Sequence, residues 1–207
     1  NATVVSLVPP RGGHPSISRG IALAHAHCAV VGSAEEIERV INTEDVSLIV
    51  ICPLYRDQLD YDILQRSLTV ANSNAVPVYV DDAGGARLRT AFLGQAKVID
   101  LGADIVMTCT DKEGLNGPRA SVVRGRTDLI ELIGTKSAEI GTEARPSVLA
   151  AIVRALREYD PATYKISSLQ HNERARRIGT KVGEYLERVV RHGTHGGDIA
   201  LDAEMFL

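Results

Sequence analysis

Lys112 and Asp81 are the two residues of this sequence whose types and positions point most directly to chemistry. Asp81 directly follows the apolar run 76–80, and Lys112 lies in the loop 108–114, just after the largely apolar run 103–107. Such runs form buried strands, and open α/β sheets bind ligands at the carboxyl ends of their strands. An amine and a carboxylate at that edge suit an aldehyde cofactor, because the lysine can hold the carbonyl carbon while the aspartate keeps a ring nitrogen protonated.

Both residues also have an ordinary structural interpretation. The glycine-containing segment 81–87 is typical of a tight turn capped by Asp82, and a lysine after a strand is usually a solvated side chain. A functional interpretation of Asp81 is favoured because a carboxylate partly inside a core is costly unless a cation meets it. For Lys112 it is favoured because the glycines and proline that follow make a compact loop, which can hold an amine ready as a nucleophile.

Short β-rich runs alternate with helical patterns and predict the elements that position these two residues. The predicted strands are 4–8, 29–31, 47–51, 76–80, 105–108 and 120–123. The predicted helices are 16–25, 34–41, 60–72, 127–133, one that begins at Pro146, and a long charged helix after Pro161. Nearly continuous apolar strands need cover on both faces of a sheet, and alternation with helices implies mostly parallel order. We therefore predict a three-layer α/β fold with a mostly parallel sheet.

The pattern changes near Asp160, where the long charged helix replaces the strand and helix alternation. This predicts a large domain over residues 1–160, with a second, smaller one beginning at 161–207. The sequence starts without methionine and enters a strand almost at once. We therefore expect this chain to be part of a longer polypeptide, with the N-terminal portion of the large domain missing from the sequence given.

Composition indicates which partners and which cellular location to expect, although it excludes few functions. The 207 residues are 44% hydrophobic and 24% charged with a net charge of −3, so no basic surface for nucleic acid is indicated. The odd number of cysteines (Cys28, Cys52 and Cys109) and their apolar contexts favour reduced thiols and a cytoplasmic location. No apolar stretch approaches the roughly 20 residues that span a bilayer.

Several segments together resemble a known family. They read VYVDDAGGAR at 78–87, GADIV at 102–106, TDK at 110–112 and GPR at 117–119, with further likeness at 134–136 and 143–146. Together they resemble fold-type I pyridoxal 5'-phosphate enzymes of the selenocysteine synthase (L-seryl-tRNA(Sec) selenium transferase)-like family, most closely its archaeal members of unassigned function. The likeness covers most of residues 1 to about 160 and implies the large domain of a PLP-dependent transferase, followed by the start of a small C-terminal domain.

The resemblance implies a role for each matching residue. Lys112 corresponds to the Schiff-base lysine, and Asp81 to the partner of the pyridine nitrogen. Ala83 corresponds to a residue against one face of the ring. His14 falls where such enzymes place a side chain stacked on the other face, although a loop histidine near a helix start is an equal interpretation. All four positions are read from this sequence.

The family's phosphate and substrate contacts match less completely. Its members carry a serine that helps to hold the phosphate three residues before the lysine, and this sequence has Cys109 there. The resemblance therefore places Cys109 at the cofactor, and Thr108 or Thr110 would help to hold the phosphate. The family's main phosphate-binding turn precedes the first residue of this chain. Three arginines can bind a substrate carboxylate or phosphate, with a surface salt bridge as the alternative for each: Arg87, Arg119 and Arg145.

The resemblance implies a reaction class and partners. We expect β-elimination or β-replacement on an amino acid or aminoacyl substrate, with Lys112 moving protons as a general acid or base. The absence of a basic tract leans toward a small-molecule amino substrate, while tRNA stays open. A homodimer or larger homo-oligomer is implied by resemblance only.

Three alternatives stay open at this point. The first is a PLP-dependent ammonia lyase acting on a phosphorylated amino sugar acid. The second is a non-catalytic remnant of the fold that serves as an oligomerisation or binding module. The third is a metal hydrolase with His25 and His27, or His192 and His195, as ligands. It is the weakest, because residues two apart on a helix face different directions and the second pair lies in a glycine-rich turn.

Overall fold

The computed structural model describes residues 2–55 and 57–192, with side chains up to residue 185, and places six strands in one sheet. They are β1 (Thr3–Leu7), β2 (His27–Val31), β3 (Val46–Ile51), β4 (Val78–Asp81), β5 (Ile105–Cys109) and β6 (Ser121–Gly125). Their order is β2-β1-β3-β4-β5-β6, and every neighbouring pair is parallel except β5 and β6. The prediction of a mostly parallel sheet is confirmed.

Seven helices are described. They are α1 (Pro15–Leu23), α2 (Ala34–Thr43), α3 (Tyr61–Ser73), α4 (Gly85–Phe92), α5 (Thr127–Glu139), α6 (Pro146–Glu158) and α7 (Pro161–His192). Two begin at side-chain caps: Ser33 accepts the backbone N–H of Glu36 at α2, and Asp60 accepts the N–H of Asp62 at α3. Such caps satisfy N–H groups that have no partner inside the helix.

Helices cover both faces of the sheet. Successive strand residues point to opposite faces, so Val5 and Leu7 join one apolar cluster while Val4 joins another. The larger cluster packs against Ile37 of α2 and Leu68 of α3, and the smaller one packs against α1. Each fully buried aliphatic side chain contributes about 1.5–3 kcal/mol by leaving water. The predicted three-layer α/β architecture is confirmed.

The structure corrects three predicted boundaries. The segment predicted to be a turn after Asp82 winds directly into α4. Helix α5 passes through Gly134 and continues to Glu139, because one glycine costs a helix only about 1 kcal/mol. Helix α1 ends at Leu23, and His25 has a left-handed φ of 55° in the turn before β2. His25 is therefore outside the predicted helix, and His27 begins a strand.

The described chain separates into two compact units, with the boundary between Tyr159 and Asp160. The second unit contains α7, whose exposed apolar residues include Ile178 and Val182. None of the described helices combines the length and the apolar character needed to cross a membrane. The predicted turn after His192 and the strand-like run that follows lie outside the described residues.

Candidate active site at the carboxyl edge of the sheet

A cavity of about 610 Å³ lies at the carboxyl edge of the sheet. The topology explains its position, because the lining residues come from the ends of neighbouring parallel strands. Cys52 directly follows β3, Asp81 ends β4 and Cys109 ends β5. Strand β6 runs in the opposite direction, so its first residue, Ser121, reaches the same edge.

The cavity brings together six of the ten residues that the sequence predicts for the site. Asp81 and Lys112 both line it, although they are 31 positions apart in the sequence. The predicted site residues that line it are His14, Asp81, Ala83, Cys109, Lys112 and Arg119. Thr108, Thr110, Arg87 and Arg145 do not. Parallel strands therefore gather the amine and the carboxylate at one place, while the roles of these residues stay predictions.

Asp81 is a buried carboxylate that lines the cavity. Its exposed fraction is 7%, and no salt bridge to it occurs among the described residues. Burial raises the pKa of Asp81, while the charges of His14 and Lys112 and a hydrogen bond from the Ala83 N–H oppose that rise. A cation placed in the cavity would offset the cost of the buried charge.

The neighbouring Asp82 has a different environment. It forms an ion pair with Arg89, and both side chains are 1% exposed. Burial raises the pKa of Asp82, and the adjacent guanidinium of Arg89 opposes that rise. The ion pair joins the end of β4 to the middle of α4, so it fixes the start of this helix beside the cavity. Two adjacent aspartates thus serve different purposes, one structural and one directed at the cavity.

The loop that carries Lys112 has an unusual backbone. Glu113 has a left-handed φ of 47°, and Gly114 follows with a φ of 83°. The N–H of Leu115 donates to the carbonyl of Lys112 at 3.1 Å, and the N–H of Gly117 donates to the carbonyl of Thr110 at 2.8 Å. These bonds fold the loop back toward β6. The Lys112 side chain is exposed and lines the cavity.

The two threonines of this region support the loop. Thr110 is fully buried, and its hydroxyl donates to the carbonyl of Pro118 at 2.6 Å. The hydroxyl of Thr108 donates to the carbonyl of Ala83 at 2.8 Å. Neither residue lines the cavity. This placement argues against the predicted contact of Thr108 or Thr110 with a cofactor phosphate, because their hydroxyls are used inside the protein.

Arg87 also differs from its predicted role. Its exposed fraction is 7%, and its guanidinium donates to carbonyl oxygens of the Lys112 loop. The sequence predicted that Arg87 binds a substrate anion. In the structure its guanidinium is used inside the protein instead. No local sequence signal distinguishes it from the other arginines, since the partners that it binds at 2.7 to 2.9 Å lie 21 to 26 positions away.

A second cavity, of about 890 Å³, borders the first. Both are lined by Arg119, Ala120 and Ser121. The second is also lined by Lys136 and Arg145, and Arg145 forms a 3.1 Å ion pair with Glu143. The structure thus places Arg145 outside the Asp81 cavity, while Arg119 borders both.

His14 lies on the wall of the first cavity. Its Nδ1 accepts the backbone N–H of Ser16 at 3.2 Å and so caps α1. Its ring meets Tyr55 edge-on, with centroids 4.9 Å apart and planes at 78°. Sequence reasoning missed Tyr55 and Cys52, and the only available signal was their position after β3. Burial raises the pKa of the Cys52 thiol.

The metal-hydrolase alternative finds no support in the described part of the chain. No group of three or more His, Cys, Asp or Glu side chains there is arranged to hold a metal ion. His25 and His27 lie in a turn and a strand. The side chains of His192 and His195 fall outside the described residues.

By sequence, the chain is similar to UPF0425 pyridoxal phosphate-dependent proteins. The protein of that name from Methanothermobacter thermautotrophicus is 38% identical over 165 residues, which are 78% of this chain and 42% of that protein. The one from Methanococcus maripaludis is 31% identical over 181 residues, or 87% of this chain and 49% of that protein. The chain thus spans less than half the length of either relative. No family model matches it.

Solved structures share the fold. Apo CalE6, a methionine gamma lyase from Micromonospora echinospora, superposes with a TM-score of 0.62 over 77% of this chain and 43% of its own, at 17% identity. The pyridoxal-5'-phosphate dependent protein YhfS from Escherichia coli gives 0.60 over 93% of this chain and 48% of its own, at 16% identity. At such identities the likeness concerns the fold alone, and the predicted fold class is confirmed.

Proposed function

We propose that this chain forms the cofactor-binding part of a pyridoxal 5'-phosphate-dependent enzyme. The observation that carries the proposal is that one cavity at the carboxyl edge of the sheet is lined by both Asp81 and Lys112. The names of the similar proteins and the fold shared with a methionine gamma lyase support it.

The residues present fit this cofactor. Asp81 is a buried carboxylate on the cavity wall with no salt bridge among the described residues, so a protonated ring nitrogen would supply the missing cation. Lys112 offers an exposed amine in the same cavity, as an aldehyde requires. Ala83 is small enough to border a flat ring, and the ring of His14 is available as a second wall. Cys109 and Ser121 are the polar groups on the β5 and β6 side.

The bound cofactor supplies an electron-withdrawing ring that stabilises negative charge at the substrate α carbon. Each protein residue would have its own role toward this cofactor. Asp81 would keep the ring nitrogen protonated, and the burial of Asp81 would strengthen that interaction. Lys112 would hold the cofactor through its amine and would move protons to and from the substrate α carbon. For a substrate with a leaving group on its β carbon, this chemistry would give β-elimination or β-replacement.

We propose a selenocysteine synthase-like enzyme that uses an amino acid or aminoacyl substrate. A small-molecule amino substrate is favoured over tRNA because the net charge of the chain is −3. The expected homo-oligomeric assembly and cytoplasmic location stay predictions.

A second candidate is an ammonia lyase acting on a phosphorylated amino sugar acid. The neighbouring cavity favours it, because Arg119, Lys136 and Arg145 line that cavity with Glu143 as the only acidic residue among its lining. A substrate that reaches from Lys112 past Arg119 would place an anionic group among these cations. Comparing phosphorylated with unphosphorylated substrates, in the wild type and in Arg119→Gln, separates the two candidates. Preference for the phosphorylated compound, lost in the variant, favours the lyase.

The direct test uses the purified full-length protein with added pyridoxal 5'-phosphate. We expect an absorption band at the edge of the visible range, which borohydride shifts while fixing the cofactor to Lys112. Lys112→Ala should lose the band and the modified peptide, whereas Lys97→Ala, which removes an exposed amine outside both cavities, should retain both. A protein that stays colourless with excess cofactor would refute the enzyme and leave a non-catalytic binding module.

A further inference from the structure

Arg87 connects helix α4 to the loop that carries Lys112. Its Nε donates to the carbonyl of Glu113 at 2.9 Å, and its Nη2 donates to the carbonyls of Lys112 at 2.7 Å and Cys109 at 2.9 Å. One guanidinium thus binds the carbonyls of Cys109 at the end of β5, of Lys112 itself and of Glu113, the residue that follows the lysine. Bonds from a charged donor are stronger than neutral ones, and burial strengthens them further.

The same guanidinium is tied to the strand ends. Its Nη1 donates to the hydroxyl of Thr108 at 2.8 Å, and that hydroxyl donates to the carbonyl of Ala83 at 2.8 Å. The N–H of Cys109 also donates to the carbonyl of Ala83, at 2.9 Å. The loop after β5 is therefore attached to the loop after β4, where Asp81 and Ala83 line the cavity.

Close packing leaves this arrangement little freedom. A Cβ atom added to Gly84 would lie 2.5 Å from Cγ of Glu113 and 3.5 Å from Cβ of Lys112. The start of α4 therefore touches the lysine loop directly. Glu113 also has a left-handed backbone, which is unfavourable for a non-glycine residue and persists only when its surroundings hold it. The bond from Arg87 to the Glu113 carbonyl is one such restraint.

We propose that Arg87 is a positioning residue for Lys112, holding the loop 109–113 in the conformation that places the amine in the same cavity as Asp81. This inference rests on the proposed function only in taking Lys112 as the reacting amine. A lysine at position 87 would retain the positive charge, but it cannot direct several N–H groups in one plane toward three carbonyls. The proposal therefore concerns the geometry of the guanidinium rather than its charge.

The test compares Arg87→Lys with wild type in the full-length protein. In cofactor-free protein, we expect hydrogen exchange of the amides in 109–117 to accelerate at least about tenfold in the variant, with exchange in β1 and β3 unchanged. With pyridoxal 5'-phosphate and borohydride, we expect the rate of trapping on Lys112 to fall by a similar factor. Arg66→Lys is the matched control, because Arg66 is an exposed arginine paired with Glu35 and should behave as wild type.

Two results would overturn the proposal. One is a rate of amide hydrogen exchange in 109–117 that is the same in Arg87→Lys and wild type. This rate is measured without cofactor, so it decides the role of Arg87 even if the wild type fails to trap cofactor. The other is faster exchange with trapping at the wild-type rate, which would limit Arg87 to supporting the fold. Failure of the wild type itself to trap cofactor would refute the proposed function instead.

Thr108 provides a milder version of the test if Arg87→Lys does not fold. Thr108→Val removes the hydroxyl between Arg87 and the Ala83 carbonyl while keeping the guanidinium and the shape of the side chain. We expect a change of about threefold in the same two measurements, and Thr108→Ser, which retains the hydroxyl, should restore wild-type values. A valine variant that equals wild type in both would count against the proposal.

Discussion

The burial of Asp81 predicts that removing its charge has opposite effects on the stability of the free protein and on cofactor binding. Asp81→Asn keeps the size of the side chain and an oxygen that can accept the N–H of Ala83, but it removes a charge that is 7% exposed and has no salt bridge in the described structure. Relief of a buried charge that its surroundings offset only in part is worth about 1–3 kcal/mol. We therefore expect the cofactor-free variant to be more stable than wild type by that amount at pH 7.

The pH dependence of this gain has a defined sign. Burial raises the pKa of Asp81 above its ordinary value of 3.8, so the folded state holds the proton more tightly than the unfolded state. Wild-type stability then falls as pH rises from that value to the folded pKa, by up to about 1.4 kcal/mol per pH unit. The advantage of the asparagine variant should be absent below pH 3.8 and fully developed above the folded pKa.

Cofactor binding should change in the other direction. A hydrogen bond between charged groups is worth about 1.5–3 kcal/mol, so loss of the carboxylate should weaken pyridoxal 5'-phosphate binding by about 10- to 150-fold. Urea unfolding followed by circular dichroism measures the stability, and spectrophotometric titration measures the affinity. The adjacent Asp82→Asn is the matched control: because it breaks the buried pair with Arg89, it should lower the unfolding free energy by about 3–5 kcal/mol. The reasoning is refuted if cofactor-free Asp81→Asn is less stable than wild type at pH 7, or binds cofactor with wild-type affinity.

Two further substitutions test the surroundings of the cavity. Arg89→Leu leaves the Asp82 carboxylate buried without its ion-pair partner, so we expect a loss of about 3–5 kcal/mol in urea unfolding, and a loss under 1 kcal/mol would contradict the structural role of this pair. Gly84→Ala places a methyl group 2.5 Å from Cγ of Glu113, so we expect borohydride trapping of the cofactor to become several-fold slower. The control is Gly20→Ala, because no atom lies within 4 Å of a methyl group added there. Equal trapping rates in the two variants would argue against the close contact at Gly84.

Much of the fold follows from patterns that are local in the sequence. Apolar runs such as 48–51 mark strands that are covered on both faces, and capping residues such as Ser33 and Asp60 mark the starts of helices. Helix α4 was missed because the sequence DDAGG is typical of a turn. Its first turn is fixed by contacts that the sequence does not display, chiefly the ion pair between Asp82 and Arg89.

The sequence by itself determined that a carboxylate and an amine follow two buried strands, because strand ends can be read from hydrophobic runs. The tertiary structure decided which side chains reach the cavity and which are used inside the protein. Arg87 and Arg119 illustrate the difference: the first is buried against carbonyls of the Lys112 loop, and the second is exposed at the border of two cavities. The two arginines differ because Arg87 forms hydrogen bonds to residues more than twenty positions away in the sequence. These bonds can form only when the pairing of β4 with β5 has brought the loops after the two strands together.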